Sequence, residues 1–276
     1  MTVFAGQGDP RRSMDLLWGR PDAAPPGSGP APRPGPRPGL SVAAIVDAAI
    51  AVADAEGMAA LSMRAVGERL GRTAMALYTY VPGKAELVDL MYDRALAELP
   101  PSYEVSAGWR AALQAWADDG WAFYLRHPWV LQVSQARPVL GPNEYGALEA
   151  LLGVLAATGL DARGVRRAVA TLSGVVRGAA RTVAESRRAV RATGLTEQQW
   201  WHGRTEALLR AAPGFAGRFP HVAWLDAEGA PDVREDAEAA GGASYLERAA
   251  REAFEGGLEI VLDGIEAAIA RRTPPG

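Results

Sequence analysis

Two short stretches separated by one residue restrict this chain more than anything else in it: SMRAVGERLG, Ser62 to Gly71, and TAMALYTY, Thr73 to Tyr80. Each opens on a hydroxyl residue able to accept a hydrogen bond from a free N–H of the first helical turn. The first closes on glycine and the second stops before Val81-Pro82, so both read as short helices. Helices this short do not persist alone in water. They must pack, and Val66, Leu70 and Leu77 are the apolar positions for packing them on each other. Gly71-Arg72 joins them in a reversal expected to be too tight for a β-carbon. This is the pattern of a helix-turn-helix, whose first helix braces the second and whose second lies in the major groove of DNA.

The flanks extend the helical text. SVAAIVDAAIAVADAEG starts at Ser41 as N-cap, carries Val42, Ile45, Val46, Ala49, Ile50 and Ala53 at helical spacing, and ends at Gly57. GKAELVDLMYDRALAEL runs to the Pro100-Pro101 stop, giving a lever helix expected over 84–99. Further helices are expected over 109–126, 144–157, 162–192, 196–211 and 244–271, with an acidic Gly/Pro/Ala loop over 226–242. No alternating strand pattern stands out, so the expected class is all-α. Residues 1–39 end in PDAAPPGSGPAPRPGPRPG and are expected to be a disordered Pro/Gly-rich leader. In it, Arg33 and Arg37 are either an arm for the adjacent minor groove or part of a plain tether. The expected domains are a helix-turn-helix unit over 40–84 and a larger helical ligand-binding and dimerisation domain over 85–272.

A formal net charge of -3 excludes a uniformly basic nucleic-acid coat. The charge is nevertheless locally reversed: between Leu61 and Lys84 stand Arg64, Arg69, Arg72 and Lys84 against the single acid Glu68. With no cysteine, and with His127, His202 and His221 scattered, no metal or other cofactor is expected. No signal pattern and no long apolar run appears, so a cytoplasmic protein without a membrane partner is expected.

Of 29 basic residues, Lys84 is the only lysine, and it falls in a first helical turn, where a cation opposes the helix dipole. An ammonium beside free N–H groups makes a phosphate clamp, and a bound anion cancels the dipole conflict. The alternative is an accident of an arginine-rich composition. Ser62 and Thr73 expose N–H groups at helix starts, and Tyr78 and Tyr80 have hydroxyls for the sugar-phosphate backbone.

LSMRAVGERLGRTAMALYTYVPGKAELVDLM, preceded by its Ala-rich helix, resembles the DNA-binding domain of the tetracycline-repressor (TetR) family. The resemblance covers Leu40 to Leu96 and rests on the L-x-x-x-x-V-x-x-x-L-G spacing, the LYTYVPGK ending and the Glu-Leu after it. FEGGLEIVLDGIEA resembles the last helix of the family's ligand domain. The resemblance implies phosphate contacts from Met63 or Arg64, Tyr78, Tyr80 and Lys84, with Arg72 in the same basic patch. It implies base contacts from Thr73, Ala74, Met75 and Thr79. Ala74 and Met75 offer only apolar contact to a thymine methyl, which shifts weight to shape readout. Met75 has core packing as its alternative, and Tyr80 has packing on the first helix.

One such motif reads few base pairs, so a homodimer on a double-stranded palindromic operator is expected. The family places its dimer interface on two helices, here the small residues Ala170, Gly174 and Gly178 and the stripe Phe254, Leu258, Val261, Leu262 and Ile265. Ordinary core is the alternative for each stripe. Seven of eight tryptophans follow Lys84. Trp116, Trp121, Trp129, Trp200 and Trp201, with His127, Asn143 and Arg177 as polar anchors, are candidates for a cavity binding a bulky, partly aromatic effector. The duller account is core filling. No nucleophile elbow, zinc-protease, P-loop or Rossmann pattern appears, so an enzyme is not expected. An architectural DNA binder with no effector is the remaining alternative, against which stand the net acidity and the tryptophans.

Overall fold

The computed structural model describes residues 3–19, 39–229 and 244–271. Among them the chain is helical, as expected, with strand limited to one parallel pairing of β1 (Val3–Phe4) with β2 (Val133–Ser134). The described residues fall into two compact units, one within Met1–Arg177 and Val261–Gly276 and the other within Gly178–Ile260.

The first unit holds α1 (Pro10–Trp18), α2 (Val42–Glu56), α3 (Met63–Leu70), α4 (Ala74–Tyr78), α5 (Lys84–Leu96), α6 (Trp109–Arg126) and α7 (Pro142–Ala156). The caps form where the sequence puts them: Ser41, Ser62 and Thr73 accept from the backbone N–H of Ala44, Ala65 and Ala76. Gly71 takes the left-handed conformation, φ 65° and ψ 34°, but no atom crowds the place of its missing β-carbon. The crowding expected there occurs at Gly67, where a β-carbon would lie 2.7 Å from the Arg72 carbonyl oxygen. α5 ends at Leu96 rather than Leu99.

The boundary drawn at Lys84 is not a boundary of packing. Ile45, Leu61, Val66 and Leu77 before it, and Leu87, Met91 and Trp129 after it, belong to one buried cluster. Folding also begins well before Leu40, which corrects the expectation of an unstructured leader for residues 3–19. Asp9 caps α1 by accepting from Arg12 N, Pro10 occupies its first turn, and Ser13 and Leu17 are buried one helical turn apart. The Pro/Gly stretch that dominated the composition begins only after this helix. Arg33 and Arg37 lie outside the described residues.

The second unit contains α9 (Glu197–Ala211), α10 (Phe215–Arg218) and α11 (Pro220–Gly229), while α8 (Ala162–Thr193) and α12 (Tyr245–Ala270) contribute to both units. Helix continues through Asp226 to Gly229, so the acidic stretch is not loop from its start; residues 230–243 lie outside the described residues. Thr196 and Gln199 form a reciprocal capping box at the head of α9. Arg187 binds both carboxylate oxygens of Glu247, at 2.7 and 3.1 Å, and Glu197 accepts from Leu246 N at 2.8 Å.

Candidate functional site

α4 is anchored by Leu77, fully buried, and everything else distinctive on it faces out. Thr73, Met75, Tyr78 and Thr79 are exposed, and Ala74 is half-buried. Met75 is 75% exposed, which excludes the core alternative for it. Tyr80 is half-buried and packs against the core, in line with its structural alternative. Ser62, Arg64 and Arg72 are exposed around this helix. Met63 instead turns its side chain into the core, so of the pair Met63 and Arg64 only the arginine presents its side chain. Arg64 is paired one turn on with Glu68 at 2.8 Å, which raises its already high pKa through that hydrogen bond.

Lys84 is exposed, and its Nζ donates to the Leu61 carbonyl oxygen at 2.6 Å. Leu61 immediately precedes the Ser62 cap of α3, so the lone ammonium ties the head of α5 to the head of α3. That bond also offsets the dipole conflict noted from the sequence. An ammonium has three donors, so one bond to Leu61 leaves capacity for an anion.

Between α5, α6, α7 and the first half of α8 lies a cavity of about 390 Å³. Its apolar wall includes Leu96, Leu99, Trp116, Phe123, Leu151 and Val176, and its polar members include Tyr92, Tyr124, Gln135 and Glu144. Tyr92 has its phenol pKa pushed up, first by burial and then by nearby Tyr124 and Glu144, although Gln135 hydrogen-bonds it. Glu144 is likewise raised by burial, against a bond from Leu140 N at 2.7 Å.

Of the residues expected in a pocket, Trp116 alone is among those lining this cavity. Trp121 is buried in the packing of the first unit. Trp129 donates to Asp54 at 2.8 Å, and His127 Nδ1 stands 2.8 Å from the same carboxylate oxygen, so both belong to a buried polar knot between α2 and the end of α6. Asn143 is bound to Asp93 through its side-chain amide and its backbone N–H. Arg177 donates through one nitrogen to the carbonyls of Val130, Leu131 and Val133 and lies over the Tyr124 ring, so it supports the wall from behind. Trp200 and Trp201 pair edge to face on α9 and are exposed. Leu, Val and Tyr make most of the wall of this cavity. The usable signal was the helical run Tyr92, Leu96 and Leu99, which packs on the cluster shared with the helix-turn-helix and also lines the cavity.

The interface residues also divide. Phe254, Leu258, Leu262 and Ile265 are buried within the single chain and are core, not surface. Ala170, Gly174 and Gly178 are exposed along α8, and Val261 is half-buried. On α12 the outward large side chain is Ile260, 74% exposed, with Gly256 and Gly264 exposed one turn either side.

Among the described residues no helix is long and apolar enough to cross a membrane. Residues 45–91 match the bacterial regulatory proteins of the tetR family, and residues 102–269 match the tetracyclin repressor-like C-terminal domain. The chain is 38% identical over 273 residues, 98% of its own length and 91% of the relative's, to the HTH-type transcriptional repressor DrrR1 of Streptomyces coeruleorubidus. Its fold is similar to apo ActR of Streptomyces coelicolor, with TM-score 0.64, 25% identity, and coverage of 85% of this chain and 98% of that one. Against ActR in complex with actinorhodin the TM-score is 0.63 at 25% identity, covering 83% and 96%. These relatives are regulators rather than enzymes, and with its helix-turn-helix and helical C-terminal domain this chain belongs to the tetR family of DNA-binding transcriptional regulators.

Proposed function

We propose that this regulator works as a homodimeric repressor, released from a palindromic operator by a bulky, partly aromatic molecule bound in the cavity. The observation that carries the reading is the course of α5. Its first residue, Lys84, is tied to the head of α3, while Tyr92 and Leu96 two and three turns on form cavity wall. A ligand that shifts this wall acts on a rigid helix that also seats the DNA-reading helices. Docking both halves of a dimer requires reading helices about 34–36 Å apart, so a small rotation of each suffices for release. By linkage, the ligand's preference for the non-binding spacing equals the loss in operator affinity, typically about 5–150-fold.

In this reading Thr73, Ala74, Met75 and Thr79 read base edges, and Arg64, Arg72, Tyr78 and Lys84 contact phosphates, with Ser62 and Tyr80 at the margin. The aromatic and aliphatic walls suit a polycyclic ring system, and the phenols, Gln135 and Glu144 suit hydroxyl or carbonyl groups on it. The complex of ActR with actinorhodin and the repressor description of DrrR1 support the reading. Dimerisation is assigned to the outward faces of α8 and α12, with Ile260 as the apolar anchor between close-approach glycines.

The test is footprinting upstream of the protein's own and neighbouring genes, followed by titration of the bound duplex with aromatic compounds while tryptophan fluorescence is read. Trp116 quenching and duplex release are expected over one concentration range. A compound that quenches Trp116 tightly yet leaves operator affinity unchanged overturns the reading.

A further inference from the structure

The residues that line the cavity are unequally covered: Gln135 and Pro138 are exposed, and the large apolar side chains exposed beside them mark its mouth, Leu140 at 43%, Tyr145 at 49% and Leu148 at 39%. Two of these three are held from outside by Trp18, the last residue of α1. Its indole N–H donates to the Leu140 carbonyl at 2.9 Å, across 122 positions of sequence, and its ring meets that of Tyr145 with centroids 6.3 Å apart. Leu140 is the one non-glycine residue with positive φ among the described residues, at 62°. Such a conformation persists only where surroundings hold it, and such residues concentrate at ligand clamps. Here the holders are Trp18 on the carbonyl side and Glu144, itself a cavity residue, on the N–H side.

The segment that carries Trp18 is itself fastened. Val3 and Phe4 pair with Val133 and Ser134, next to the cavity residue Gln135. Gly6 N donates to Asp89 of α5 at 2.9 Å, and Gly8 lies so close to Glu86 that a β-carbon there would overlap the carboxylate. Ala5 and Leu17 are buried. Residues 3–18 thus form a strap anchored on α5 and the β2 segment, with Trp18 at the cavity mouth.

From this geometry we infer that the strap is a gate of the ligand cavity and that Trp18 is the residue that holds its mouth narrow. The inference rests on the cavity reading proposed above. Leu140 and Tyr145 both stand at the mouth, and Trp18 bridges the two. Releasing the indole frees the Leu140 carbonyl and lets the strained residue relax, which widens the mouth without unpacking the walls.

The experiment uses the full chain and Nile red, a neutral polycyclic dye that brightens in apolar surroundings, in stopped-flow mixing. Trp18 is more than half exposed, so Trp18→Ala is expected to keep the fold. Dye association and dissociation rates should both rise about tenfold, the size expected for one lost hydrogen bond and ring contact, while Kd moves by less than about threefold. Trp18→Phe, which keeps a ring and loses the N–H, should fall between. Amide exchange over 135–140 should quicken in Trp18→Ala without any ligand, while that of α2 to α4 stays unchanged.

Unchanged dye rates together with unchanged exchange over 135–140 overturn the gate alone. A dye signal unchanged in Ser173→Trp, where an indole from α8 takes up part of the cavity, or a wild-type protein that takes up no dye, overturns the cavity reading and the gate with it.

Discussion

Asp93 of α5 serves as the missing cap of α7 by binding Asn143: its carboxylate accepts from Asn143 N at 2.9 Å, Glu144 N at 2.9 Å and Asn143 Nδ2 at 2.8 Å. α7 has no side-chain cap of its own at Gly141. A negative charge at its free N–H groups also meets the positive end of the helix dipole. The helix that seats the reading head is thus joined to a wall of the cavity by a charge-assisted contact.

Asp93→Ala should lower stability by about 2–4 kcal/mol, from a lost cap and partly buried N–H groups left without partners. Urea unfolding of the two proteins measures it. Gly141→Ala should be at least as damaging, because its β-carbon would overlap the Asp93 carboxylate. A loss for Asp93→Ala within the error of a surface substitution contradicts the capping role.

Lys84→Ala should weaken binding to all duplexes about equally and lower the salt slope by about 1 per protomer. Losing the Leu61 tie adds a small cost in stability, read separately by thermal melting. An altered base preference with an intact salt slope speaks against the phosphate clamp.

His127 makes part of the stability depend on pH. Burial alone would disfavour its charged form, but the carboxylates of Asp54 and Glu98 outweigh that and raise its pKa above the ordinary 6.5. Glu98 moves the opposite way: burial is outweighed by Arg126 and His127, and its pKa is lowered below 4.5. A raised histidine contributes fully below its unfolded pKa and loses its contribution as pH climbs through the folded value. A lowered carboxylate loses its contribution as pH falls through its own. Stability should therefore decline from pH 6.5 upward, and His127→Gln should flatten that limb in denaturant titrations across about pH 5–8. A wild-type curve that rises over this window refutes the assignment.

Ile260→Asp should yield a folded monomer by sedimentation, with operator affinity lost, because the residue is outward on α12. Phe254→Ala should instead cost about 3–5 kcal/mol, the usual penalty of truncating a buried aromatic ring. A dimer that survives Ile260→Asp relocates the interface.

Gly71 in the turn and Gly67 within α3 separate two physical causes. Gly71→Ala meets only the left-handed φ and should cost about 1–2 kcal/mol. Gly67→Ala forces a β-carbon against the Arg72 carbonyl, and should damage both the turn and operator binding more. Paired melts and gel shifts decide the order, and equal effects would place the constraint elsewhere.

What the sequence determined by itself is local. Caps at Ser41, Ser62 and Thr73, the left-handed Gly71 and the inward Val66 and Leu77 act over one or two turns, where spacing alone says which atoms meet. The helix-turn-helix and the all-α class follow from these. α1 is also locally marked, by Asp9, Pro10 and the Ser13–Leu17 spacing, just ahead of the proline-rich stretch. Tertiary structure decided which of two apolar faces turns inward, since helical period alone cannot separate core from interface: Phe254, Leu258, Leu262 and Ile265 went to the core and Ile260 to the surface. It also decided the cavity and its supports. Asp93 meets Asn143 across 50 positions, His127 meets Asp54 across 73 and Trp18 meets Leu140 across 122. Contacts at such separations depend on how whole helices pack, so Asn143, His127 and Arg177 were recognisable from sequence as polar residues in an apolar half, but not as the ties that hold its walls.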